Sequence, residues 1–73
     1  MFYTIQVTSK NGEYAKQIFS FDNLKDAKAN HHYFLSSAYA DNNDYILGMV
    51  MDENGGIVCR DIFFEREEEQ NEN

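Results

Sequence analysis

The sequence predicts an α+β fold of ββαββ order: a four-stranded, mainly antiparallel sheet with one helix on one face. Three observations predict it. Strand-like runs flank an Asn-Gly dipeptide at residues 11–12 and again at 54–55, and a stripe of apolar residues at helical spacing separates the two pairs. The elements are short enough for 73 residues to hold all of them in one domain, assigned to residues 1–64, with an acidic, disordered tail at 65–73.

The first strand is FYTIQVT. Tyr3, Ile5 and Val7 alternate with Thr4, Gln6 and Thr8, the period of a half-buried strand. Asn11-Gly12 suits a type I′ turn, because both residues tolerate positive φ. The returning strand, EYAKQIFSF, then sets Tyr14 and Ile18 on the side of Tyr3, Ile5 and Val7, and Phe19 and Phe21 on the side of Phe2.

The helix starts after Asp22 or Asn23, either of which can accept hydrogen bonds from free N–H groups, and Asp26 stands where a capping box places its acid. Leu24, Ala27, His31, Phe34, Leu35 and Ala38 form the stripe that faces the sheet. The helix ends near Ala40, at the cluster Asp41-Asn42-Asn43-Asp44, whose side chains compete for backbone partners.

The last hairpin, YILGMVMDENGGIVCRDIFF, is apolar on both faces. With Asn54-Gly55 as a two-residue turn, Tyr45, Leu47, Met49, Met51, Val58, Ile62 and Phe64 share one face, and Ile46, Val50, Ile57, Cys59 and Phe63 the other. Two-residue connections make each hairpin antiparallel, and the favoured strand order is 2-1-3-4, with 2-1-4-3 as the rival.

One helix covers one face of such a sheet. The face richest in apolar residues, with Tyr3, Ile5, Val7, Ile18, Leu47, Met49, Val58 and Ile62, is expected beneath it. The other face would then expose Phe2, Phe19, Phe21, Ile46, Val50, Ile57 and Phe63, the candidate interface. A large apolar side chain is worth about 1.5–3 kcal/mol when buried, and a domain this small cannot leave many in water. A partner is therefore expected, most simply a second copy in a homodimer or larger homo-oligomer, with a host protein as the other option.

The net charge of −7 is concentrated: residues 65–73 hold five acids and one base. This sign opposes direct binding to nucleic acid or to an anionic membrane, and no run of apolar residues is long enough to cross a bilayer. The single Cys59 cannot close an internal disulfide, which fits a reducing compartment. His31 and His32 are adjacent and diverge by about 100° on a helix, so they do not form a metal pair. Ser36-Ser37 has no activating neighbour in sequence, and Asn54-Gly55-Gly56 follows two acids and reads as a turn rather than a phosphate cradle. No enzyme, cofactor or metal is expected. An acidic inhibitor that occupies the basic groove of a host nucleic-acid enzyme, such as a defence nuclease, is the alternative, although much of the acid lies in the tail.

The runs YTIQVT, YAKQI, HHYFLSSAYAD and MVMDENG resemble small ββαββ accessory proteins of phages and integrated elements of Gram-positive bacteria. The resemblance implies an accessory or structural role, in the bacterial cytoplasm or associated with a virion. It carries no activity, so no catalytic residue is transferred.

Overall fold

A computed structural model of the chain describes residues 1–64; the expected acidic tail, 65–73, lies outside the described residues. Strands β1 (Phe2–Lys10) and β2 (Glu13–Phe21) form the first hairpin, α1 (Leu24–Ala40) follows, and β3 (Tyr45–Asp52) and β4 (Ile57–Phe64) form the second. The four strands make one antiparallel sheet in the order β2-β1-β3-β4, the favoured of the two expected orders.

The first turn has the expected chemistry. Asn11 and Gly12 have φ of 54° and 86°, both in the left-handed region that a type I′ turn requires. The second turn departs from it. Gly55 has φ of 86° but Asn54 does not share the left-handed region, and the Asp52 carboxylate organises the loop by accepting from the N–H groups of Asn54 and Gly56 at 2.9 and 2.8 Å. The wider loop comes with a register irregularity between Val50 and Met51, so Cys59 stands opposite Val50 but Ile57 opposite Met51. Ile57 therefore lies on the face of Met51, not with Ile46 and Val50 as an uninterrupted two-residue hairpin would place it.

Asn23 caps α1: its side-chain oxygen accepts from Asp26 N at 2.8 Å, while its amide donates to the Asp26 carboxylate at 3.1 Å. At the other end Asp41 N–H donates to Ser37 O, and the Asn43 amide holds the carbonyl of Ala38 at 2.9 Å. Asp44 then ties the helix exit to the first hairpin, its N–H donating to Ser9 O and its carboxylate accepting from Asn11 N.

The helix lies on the opposite face from the one that the count of apolar residues favours. Ala27, Ala38 and His31 of α1 are buried against Thr4, Gln6, Ile46 and Val50; Ile46 is 1% exposed and Val50 0%. Pairing carries Phe2, Phe19, Phe21 and Phe63 to the same side. The reason is distance of approach. Gly48 sits between Ile46 and Val50 on that face, and a Cβ there would meet Cε1 of His31 at 2.9 Å and Cδ2 of Leu35 at 3.1 Å. A helix docks closely where the sheet has no side chain in the way, and Ala27 and Ala38 keep its own surface low. Six of the seven expected interface residues are thus helix-side residues; Ile57 alone is on the open face.

Candidate interaction surface

The face away from α1 follows from the register as four rows across the sheet. Ser20, Tyr3, Met51 and Ile57 form one; Ile18, Ile5, Met49 and Arg60 the next; Lys16, Val7, Leu47 and Ile62 the third; Tyr14, Ser9, Tyr45 and Phe64 the last. The two central strands contribute an aliphatic centre of Ile5, Val7, Leu47 and Met49, each half-buried. The edge strands add Ile18, 59% exposed, and Ile62, 54% exposed. Tyr45 and Phe64 pack edge to face at 5.7 Å between ring centroids.

The charges in these rows are Lys16 on β2 and Arg60 on β4, one on each edge strand. An apolar centre with polar groups at its margin is the anatomy of a protein interface. Four strands at about 4.8 Å spacing and eight residues at about 3.3 Å span roughly 500 Å², so two such faces in contact bury roughly 1,000 Å², the lower bound of a specific interface. Singly scattered apolar residues need no explanation, but a contiguous patch of this size does.

The helix side is different in kind. Thr4 and Gln6, both buried, donate to the same atom, Oδ1 of Asn30, at 2.9 and 2.7 Å. Their alternation with Ile5 and Val7 reads from the sequence as a solvated face; the structure instead gives them a partner on the helix. Asn30 lies outside the apolar stripe and reads from the sequence, with Lys25, Asp26 and Lys28, as part of the polar side of the helix; the structure leaves it half-buried against β1.

Of the residues with chemistry to offer, His31 is 1% exposed, with Nε2 at 2.9 Å from the Asp61 carboxylate. Its Nδ1 has no hydrogen-bond partner and lies over Gly48. His32 is exposed and meets the His31 ring edge to face. Cys59 is half-buried opposite Val50 on the helix side, and Ser36 and Ser37 are exposed on α1. Among the described residues no three His, Cys, Asp or Glu side chains gather as a metal site, and no helix is long and apolar enough to cross a membrane.

The fold and the surface together define a class: a small α+β protein of ββαββ order whose sheet has one face closed by a helix and one open and apolar. No family model, curated protein or solved structure matches the chain.

Proposed function

We propose that this protein is a non-enzymatic protein–protein interaction module that associates with a second copy of itself through the open sheet face. The observation that carries the reading is the aliphatic centre of Ile5, Val7, Leu47 and Met49, continued by exposed Ile18 and Ile62 onto both edge strands. Sheet-on-sheet packing about a twofold axis removes this surface from water and leaves Lys16 and Arg60 at the margin, where their stems cover apolar surface and their charges stay solvated. An accessory or structural role in a phage or mobile element accords with the resemblance of its strand and turn motifs, and self-association is the property such a role uses.

The groove-mimicking alternative draws less support. Mimicry needs carboxylates held in a row toward a partner, and many of those in the body have local tasks: Asp26 at the helix start, Asp44 and Asp52 in turns, Glu53 at 2.9 Å from the N-terminal ammonium, and Asp61 on His31. The test of the proposal is the mass of the chain in solution, with and without an acid placed in the centre of the open face at Leu47.

A further inference from the structure

The two edges of the sheet are built differently. β4 is interrupted by its register irregularity and carries Arg60 and Asp61 in mid-strand, two of the devices that keep an edge from pairing. β2 has neither. It runs nine residues without proline, glycine or bulge, all but Phe21 are exposed, and among the described residues its only strand partner is β1.

The closing pair Lys10–Glu13 of a two-residue hairpin exchanges hydrogen bonds, and bonded pairs then alternate. The backbone groups of Tyr14, Lys16, Ile18 and Ser20 accordingly point outward and are free to bond a further strand. α1 packs mainly on β1 and β3, which leaves the helix-side surface of β2, with Ala15, Gln17 and Phe19, uncovered beside the helix.

We infer that β2 pairs antiparallel with β2 of a second copy, about a twofold axis at Gln17, to make one continuous eight-stranded sheet. Gln17 is the midpoint of Glu13–Phe21, so this register overlaps all nine residues. It is also the register that the sequence fits. Phe19 falls opposite Ala15, large against small; Tyr14 falls opposite Ser20; Lys16 falls opposite Ile18 and not opposite itself; and the two Gln17 amides face each other. The bonded pairs 14–20 and 16–18, each formed twice, supply about eight backbone hydrogen bonds. This contact is distinct from the open face and stands on the edge alone. It also doubles that face: two eight-stranded sheets stacked through their open sides would bury roughly twice the area of two single copies, well clear of the lower bound for a stable interface.

The experiment is cross-linking at the axis. Opposed residues of a non-bonded antiparallel pair have Cα atoms about 4.5 Å apart, within disulfide range. In a Cys59→Ser background, Gln17→Cys should convert under mild oxidation to a disulfide-linked dimer. Ala15→Cys, which faces Phe19 of the second copy, should cross-link at least tenfold less. Lys16→Pro removes an outward N–H while keeping the bonds to β1, and should lower the solution mass with the circular dichroism unchanged.

Repeating Gln17→Cys with Leu47→Asp separates the two contacts. Cross-linking that survives Leu47→Asp supports the edge pairing whether or not the open face associates. Absence of cross-linking in both backgrounds, or equal cross-linking at residues 15 and 17, overturns it, and leaves the open-face proposal to be judged by mass alone.

Discussion

Gly48→Ala tests why the helix lies where it does. The added Cβ would stand 2.9 Å from Cε1 and 3.1 Å from Nδ1 of His31, and 3.1 Å from Cδ2 of Leu35. None of these neighbours has an easy retreat: His31 is held by Asp61 at 2.9 Å, and Leu35 is half-buried in the same helix. Overpacking of this kind costs about 1–3 kcal/mol, against which replacing a strand glycine with alanine returns about 0.5–1 kcal/mol of backbone entropy. The mid-values of the two leave a net loss of about 1 kcal/mol, or a fall in Tm of roughly 4–8 °C for a domain of this size. The assay is urea denaturation at one fixed protomer concentration, so that association does not shift the midpoint. In a His31→Ala background the same substitution should cost less than half as much, because the tightest contact is gone. An unchanged or raised midpoint for Gly48→Ala in the wild-type background would refute close approach as the reason for the choice of face.

Other substitutions probe the remaining joints. Asn30→Leu leaves the buried donors of Thr4 and Gln6 without an acceptor and should cost about 2–3 kcal/mol in urea denaturation, whereas Asn30→Asp, which keeps an acceptor oxygen, should cost less. Asn23→Ala removes the helix cap and should cost about 1 kcal/mol, seen as a lower midpoint with native circular dichroism. Asp61→Ala leaves Nε2 of buried His31 unpaired and should lower the midpoint by about 1 kcal/mol, with Asp61→Asn recovering part of the loss.

What the sequence made legible was local. Alternation over residues 2–8, the Asn11-Gly12 turn, a cap at Asp22 or Asn23 and the stop at Asp41–Asp44 each rest on neighbours in the chain, and the structure reproduces them, with Asn23 as the cap, together with the strand order. The choice of sheet face was not local. Counting apolar residues favours the side of Ile5 and Leu47, but docking is decided by how near the helix can come, and that turns on one glycine meeting a histidine and a leucine from another element. The polar residues Thr4 and Gln6 misled for the same reason, since their acceptor lies 26 and 24 residues away. Ile57 changed sides because Asp52 organises a wider loop than the Asn-Gly dipeptide implies. The reasoning that one helix leaves one face needing a partner does not depend on which face it is. The residues through which that partner would bind do.

The central claim is that a second copy covers the open face, and sedimentation equilibrium over a wide concentration range tests it most directly. The full chain should show a mass at least twice that of one chain, and Leu47→Asp, at the centre of the face, should lower that mass while keeping the circular dichroism of the folded protein. A single-chain mass at every concentration, or a mass that Leu47→Asp leaves unchanged, would contradict it.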